Sequence, residues 1–351
     1  MRKTIFVLVS GEHPTLPKAE IQAILESENI PSKIGEWTPR ILKIKLEKLL
    51  EEEKVCSLLG ERAAYTHICG LEIFSCEASE NKIFEEAKKV DWDEWIQEGG
   101  SFAVRIERVG EKKVFLDTVR LERIIGEIIL GQKSNLSVNL EKPEKLFVGV
   151  VSGENFVFGL ALNSLRKKGF SFRTPRKKPF FHPSSLQPKL ARCMVNLSRA
   201  NRQKLLLDPF CGTGTILIEA GLMGINSIGV ELREKMVKGA KLNLDYYGVK
   251  NAYLVRADAL KLPLIQVDCV ATDPPYGRAA STLGSSTKTI LEEFFEHVDE
   301  VLAKDGKICL ASPKNVNVAG LAKTYGFKVK ETHSIYVHKS LTREIATFER
   351  E

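Results

Sequence analysis

Leu205-Leu206-Leu207-Asp208-Pro209-Phe210-Cys211-Gly212-Thr213-Gly214-Thr215 is the stretch on which the fold turns. Three consecutive leucines without polar alternation suit a short strand buried on both faces, and the two glycines after them let backbone bend tightly beside a ligand. The same grammar repeats downstream. Short apolar runs at 227–230, 252–255, 267–272 and 307–310 alternate with amphipathic stretches at 214–222, 233–247, 289–303 and 316–325. Strict alternation of strand and helix predicts an α/β, doubly wound parallel sheet from about residue 182 onward, with ligands beyond the carboxyl ends of its strands.

Those ends carry acids. Asp208 closes the first strand, Glu231 the second, and Asp258 follows the third with Ala259 beside it. The glycine loop lacks both the third glycine of a dinucleotide fingerprint and the Gly-Lys-Ser/Thr of a phosphate cradle. An aspartate heading the loop suits a ligand with a positive amino group. Glu231 is placed to accept from the two ribose hydroxyls, and Asp258 with the small Ala259 to take the amino group and flat face of an adenine. Each acid alone reads equally well as an exposed strand-end residue; three in succession describe a nucleoside pocket without a pyrophosphate site, which suits S-adenosylmethionine better than NAD.

After the fourth strand comes Asp273-Pro274-Pro275-Tyr276. Two prolines remove two backbone donors, so this loop presents acceptors. An exocyclic amine on a ring is a poor nucleophile because its lone pair is delocalised. Accepting its two hydrogens on the Asp273 carboxylate and the Pro274 carbonyl turns that lone pair toward a methyl donor. Tyr276 offers a ring on which a flipped-out base can stack.

Upstream the pattern differs. Strands at 5–9, 41–46 and 63–69 with helices at 18–26 and 49–59 read as a small α+β unit. Helices at 81–90 and 117–131 with strands at 102–109, 146–151 and 156–160 read as a second. The segment 164–181, broken by Pro175 and Pro179 and without helical or strand period, reads as a linker. The formal net charge is +7, yet residues 155–207 hold twelve Lys and Arg and no carboxylate, so the rest of the chain is net negative. A basic run can be a solvated face, but one cleared of every acid suits a phosphate backbone. The expected contacts are Arg166, Lys167, Lys168, Arg173, Arg176, Lys177 and Lys178 in the linker, and Arg105 and Arg108 before it.

With 43% hydrophobic and 28% charged residues and no long apolar run, a membrane-spanning class is excluded. No signal peptide follows Met1, so a cytoplasmic location is expected; the oligomeric state is not legible, and a monomer is the expectation. Neither the six histidines nor the seven cysteines show metal-ligand spacing. A disulfide among Cys56, Cys69 and Cys76 stays open.

Residues 182–351, with Asp273-Pro274-Pro275-Tyr276, resemble the Rossmann-type amino-methyltransferases. His182-Pro183-Ser184-Ser185-Leu186 resembles the segment that covers the methionine end of the cofactor in that family. Phe102 to Arg108, the helix 117–131, Val138-Asn139-Leu140 and Pro143 to Val151 resemble the RNA-binding THUMP domain, with a ferredoxin-like domain before it. The whole chain is similar to archaeal THUMP-domain tRNA (guanine-N2)-methyltransferases acting at tRNA position 10. The resemblance implies a ferredoxin-like domain at 1–75, THUMP at 76–163, a basic linker at 164–181 and the methyltransferase domain at 182–351. It also implies cofactor contacts at His182, Pro183, Asp208, Phe210, Gly212, Gly214, Thr215, Glu231, Leu232, Asp258, Ala259 and Asp273, and catalysis at Asp273, Pro274 and Tyr276. One departure is Thr215, where many methyltransferases carry a third glycine. The product implied is N2-methyl- and then N2,N2-dimethylguanosine in tRNA. Two other readings stay open: methylation of guanine N2 or adenine N6 in ribosomal or another RNA, DNA being disfavoured by the RNA-binding module, and an RNA-binding protein without catalysis.

Overall fold

The computed structural model describes residues 4–47, 51–110, 114–164, 169–262, 266–275, 287–339 and 341–351. The chain divides into two compact units, the first formed by residues 1–18, 30–61 and 65–166, the second by 19–29, 62–64 and 167–351.

In the first unit eight strands make one mixed sheet, in the order β2-β3-β1-β4-β8-β7-β5-β6. The strands are β1 (Ile5–Val9), β2 (Ser32–Thr38), β3 (Ile41–Leu46), β4 (Thr66–Glu77), β5 (Ser101–Val109), β6 (Ser137–Val138), β7 (Lys145–Ser152) and β8 (Asn155–Ser164). Helix α1 (Leu16–Ser27) begins here; α2 (Glu52–Arg62), α3 (Glu80–Lys89) and α4 (Thr118–Gln132) follow. The strands expected in two separate pieces share this sheet because β4 runs on to Glu77 and pairs with β8 down to Glu77↔Asn155. β2 escapes sequence reading: most of it is exposed or half-exposed, and Gly35 and Glu36 interrupt its apolar alternation. An aromatic core fixes one face, with Phe74 stacked on Phe158 at 5.3 Å and Trp92 edge-on to Phe147 at 5.4 Å. Cys56 and Cys69, both fully buried, face each other with their sulfurs 2.7 Å apart.

The second unit holds a seven-stranded sheet in the order β11-β10-β9-β12-β13-β15-β14. Its elements are α5 (Pro188–Leu197), β9 (Leu205–Asp208), α6 (Thr215–Leu222), β10 (Asn226–Glu231), α7 (Glu234–Tyr246), β11 (Ala252–Arg256), β12 (Val267–Thr272), α8 (Thr287–Val301), β13 (Leu302–Pro313), α9 (Val318–Thr324), β14 (Phe327–His338) and β15 (Leu341–Arg350). The five strands β9 to β13 are parallel, as the apolar runs predict. Their core gathers Leu207, Val270, Ile308 and Leu310 with Phe294, Phe295, Phe327 and Phe348, each almost fully buried. The chain winds outward from β9 to β11, then returns to place β12 on the other side of β9. That reversal opens a crevice at the strand ends.

Two features depart from expectation. The helix expected at 289–303 stops at Val301, where Leu302 already pairs with Val267 as the first residue of β13. Beyond α9 lies an antiparallel hairpin, β14–β15, which sequence reading omits. β14 carries Lys328, Lys330, Glu331 and Thr332 at a half-exposed edge, so its apolar period is faint.

Most of α1 belongs to this second unit. Its Glu20, fully buried, accepts from the Ala64 N–H and from Asn196 Nδ2, each at 2.8 Å. Arg62, 5% exposed, donates to Asn196 Oδ1, Ser27 Oγ, Glu28 and the Ala200 carbonyl. A guanidinium this deep is tolerated because its donors find acceptors. Among the described residues no helix is long and apolar enough to cross a membrane.

Candidate active site

Parallel register brings the expected acids to one edge. Gly229 lies beside Asp208, Arg256 beside Glu231, and Val270 beside Leu207, so the ends of β9, β10, β11 and β12 lie within two residues of one another. Asp208 is 1% exposed and accepts from Thr272 Oγ1 at 2.8 Å and from the Phe210 N–H at 3.3 Å. Burial, with the like charges of Asp273 and Glu231, pushes its carboxyl up to about 7 against the pull of those two hydrogen bonds. Since Asp273 follows Thr272 directly, the Thr272–Asp208 bond ties the end of β12, where the proline loop starts, to the end of the neighbouring β9, where the glycine loop starts.

The glycine loop is shaped by its glycines and held from behind. Gly212 (φ 51°) and Gly214 (φ 78°) are left-handed, a conformation that a side chain resists, and Gly214 caps α6. Asn243 Nδ2 on α7 donates to the Thr213 carbonyl at 3.0 Å, Thr213 and Ser185 share a hydroxyl hydrogen bond of 2.9 Å, and Lys178 Nζ donates to Thr215 Oγ1. Phe210 packs on Phe294, ring centroids 6.2 Å apart. Farther along the edge, Glu231 accepts from the Arg233 N–H at 2.9 Å and Asp258 from the Leu260 N–H at 3.0 Å. Leu232 is largely exposed while Ala259 is buried. His182 is half-buried with Nδ1 2.7 Å from Ser184 Oγ, and Pro183 is exposed.

Asp273 reaches a partner that sequence reading missed. Its Oδ2 lies 3.5 Å from Arg343 Nη2, the two side chains 14% and 16% exposed. Arg343 sits on β15 opposite Pro313 of β13. Finding it requires the register of a hairpin whose existence the sequence barely signals. Pro274 follows in the loop; Tyr276 lies outside the described residues.

Two of the linker cations expected to meet RNA face the interior instead. Arg173 and Lys178 are 9% and 5% exposed, turned inward rather than toward a phosphate backbone. Glu219 of α6, fully buried, accepts from Arg173 Nε at 2.7 Å and from Arg192 Nε at 2.9 Å. A buried carboxylate demands cations, and the linker supplies one of them. Burial pushes the Lys178 ammonium down to about 8, with Glu219 opposing. Arg176 and Lys177 remain exposed, and Arg166, Lys167 and Lys168 lie outside the described residues. In the first unit Arg105 donates to the Leu140 carbonyl and lies 3.7 Å from Glu122, while Arg108 donates to the carbonyls of Val114 and Leu116. Both remain half-exposed.

The donor set suits one class of ligand. Carboxylates at Asp208, Glu231 and Asp273 raise the cost of an anion and favour a ligand with cationic centres, and the left-handed glycines allow a flat nucleoside to approach backbone. A sulfonium nucleoside with an ammonium group fits this chemistry; a dinucleotide pyrophosphate does not.

Comparison with known proteins points the same way. Residues 77–159 match the THUMP domain, and residues 175–345 match the RMKL-like methyltransferase domain. The chain is 39% identical, over 99% of both chains, to the tRNA (guanine(10)-N2)-dimethyltransferase of Methanothermobacter thermautotrophicus. It is 35% identical to the enzyme of the same name from Pyrococcus abyssi, over 96% of this chain and 97% of the other. In fold it resembles TrmN from Thermus thermophilus (TM-score 0.55, 21% identity, 99% of this chain and 100% of that one).

Proposed function

The chain belongs to the family of archaeal tRNA (guanine(10)-N2)-dimethyltransferases, and we propose from this that Asp273 is where its chemistry happens. The reaction is transfer of a methyl group from S-adenosylmethionine to the exocyclic N2 of a guanosine in tRNA. The cofactor, when bound, supplies an electrophilic methyl on sulfur. The chain's own residues do the rest. Asp208 takes the ammonium end, Glu231 the ribose hydroxyls, and Asp258 beside Ala259 the adenine, with Gly212 and Gly214 leaving room for the ligand. Phe210, Thr215, Leu232, His182 and Pro183 border the same pocket. Asp273 accepts one hydrogen of the guanine amine and the Pro274 carbonyl the other, which frees the nitrogen lone pair and holds it in line. Formation of the N–CH3 bond breaks the S–CH3 bond, releases S-adenosylhomocysteine and gives up one amine proton to the Asp273 carboxylate; Tyr276 stacks on the base.

The observation that carries this reading is the placement of Asp273 at the strand-order reversal, joined to Asp208 through Thr272. Two successive rounds at position 10 would give N2-methyl- and then N2,N2-dimethylguanosine. The half-exposed Arg105 and Arg108 with Arg176, Lys177 and the basic run at 166–168 serve as tRNA contacts. The division into ferredoxin-like (1–75), THUMP (76–163), linker (164–181) and methyltransferase (182–351) segments completes the reading. The protein is proposed to act as a cytoplasmic monomer on RNA, not DNA. Unmodified tRNA given labelled S-adenosylmethionine should yield labelled N2-methylated guanosine at position 10, and Asp273→Ala should cut the rate by at least about 100-fold while tRNA binding persists. N6-methyladenosine as product, or an undiminished Asp273→Ala rate, would overturn the proposal.

A further inference from the structure

We propose that the folded linker and the end of α7 form a stacking platform for an unpaired nucleotide of the tRNA, built from Phe172, Tyr246 and Tyr247 with Lys177 as its cation. The inference rests on the reading that tRNA is the substrate, and adds a contact surface separate from the acceptor loop at Asp273.

The platform is a consequence of how the linker is anchored. The guanidinium carbons of Arg173 and Arg192 lie 5.1 and 5.2 Å from the Phe170 ring centroid, and both side chains pair with the buried Glu219. Behind the next turn, the Phe180 N–H donates to Asn243 Oδ1 at 2.9 Å, and the Phe180 ring lies against Gly239, where even a Cβ would come within 2.1 Å. With these residues fixed inward, Phe172 is turned out and left 70% exposed. It does not stand alone. Lys177 Nζ lies 5.3 Å from its ring centroid, the Tyr247 hydroxyl donates to its carbonyl at 3.3 Å, and Tyr246, 65% exposed, meets Tyr247 edge-on at 5.0 Å. Phe172 is thus tied to Tyr247 through that hydrogen bond, and Tyr247 to Tyr246 through the edge-on contact of their rings.

The chemistry of the row selects its occupant. Flat rings bind the face of a base, whichever base it is, and neighbouring cations take the phosphate. Lys177 and the exposed Arg176 provide the charge within a stretch that has no carboxylate from residue 155 to 207. The acid beside the row, Asp245, is taken up by Lys241 at 2.6 Å. Duplex RNA offers phosphates but keeps its base faces stacked on one another, so the rings suit a nucleotide outside the helix. Because Arg173, Lys178 and Phe180 already pin the stretch that carries Phe172, binding does not have to immobilise it, which favours affinity.

The test uses the full chain. In Phe172→Ser/Tyr246→Ser, tRNA should bind about tenfold more weakly, toward the low end for a lost base–aromatic stack, with turnover at saturating tRNA, cofactor affinity and melting temperature unchanged. Phe172→Trp should bind at parental strength. A single-stranded oligoribonucleotide should compete for the parent but not for the double variant. If the double variant binds tRNA within twofold of the parent, there is no platform. If only Arg176→Ala and Lys177→Ala weaken binding, the surface meets phosphates alone, and the stacking proposal is wrong. Methylation by the parent with normal binding by the double variant sinks the platform and leaves the function standing; a parent that neither binds nor methylates tRNA sinks both.

Discussion

Two sets of charges in the second unit, the acids at the strand ends and the cations of the linker, look equally legible as text and fold very differently. Asp208, Glu231, Asp258 and Asp273 sit at the ends of parallel strands, and parallel strands present their carboxyl ends at one edge whatever the intervening residues are. The linker has no such rule. Its cations divide between surface and interior according to partners that adjacency cannot show: Glu219 claims Arg173, Thr215 holds Lys178, and Arg176 and Lys177 are left outside. Topology sorts the first set; local competition for a buried carboxylate sorts the second.

The sharpest way to break this contrast is at Glu219. Glu219→Ala strands two guanidiniums in the interior, and unfolding free energy should drop by about 3–5 kcal/mol, read by chemical denaturation. Arg176→Ala should leave it within about 0.5 kcal/mol. Equal losses would mean that the inward and outward cations are not distinct.

Asp208 comes next. Its carboxyl is raised from 3.8 to about 7, so the fold prefers it protonated. The stability it contributes is complete below pH 4 and is lost as pH climbs to about 7, at most on the order of 4 kcal/mol. Asp208→Asn, neutral throughout, should show a flatter stability curve over that range, measured by denaturant unfolding at several pH values. In the parent, calorimetry should find cofactor affinity rising with pH up to about 7, because an ammonium is received by the ionised acid.

Arg343 sharpens the comparison from the other side, being a cation that topology delivers to the acids. Arg343→Met should lower kcat by about 10- to 100-fold with the KM for tRNA nearly unchanged, and Arg343→Lys should recover part of the loss. A change confined to KM would move Arg343 from positioning Asp273 to binding RNA. The smallest effect is expected at Lys177→Ala, a severalfold weaker tRNA affinity with a shallower salt dependence, since one phosphate contact is removed.

How much was legible follows the same division. The doubly wound sheet, and the acids at its strand ends, could be read because uninterrupted apolar runs such as Leu205–Leu207 admit one environment, and because Asp208 and Asp273 stand directly where such runs stop. The β14–β15 hairpin could not: its edge strand alternates weakly, and with it went Arg343, whose meaning depends on lying opposite Pro313. β2 was lost for the same reason. The linker misled because proline and charge look alike whether a segment is loose or pinned, and what pins Arg173 is a glutamate in a helix 46 residues downstream.

The place of α1 has a consequence for how the molecule can be divided. Glu20, Arg62 and Asn196 close one hydrogen-bond network, so the catalytic body is completed by a helix that leaves the ribosome long before the rest of it. Cutting the chain at residue 167 would not release an intact unit but remove residues 19–29 and 62–64 from it, leaving Asn196 without Glu20 and Arg62. The two halves of the chain are therefore joined by sequence order and by side chains, and the early helix belongs in any fragment meant to keep the later half intact.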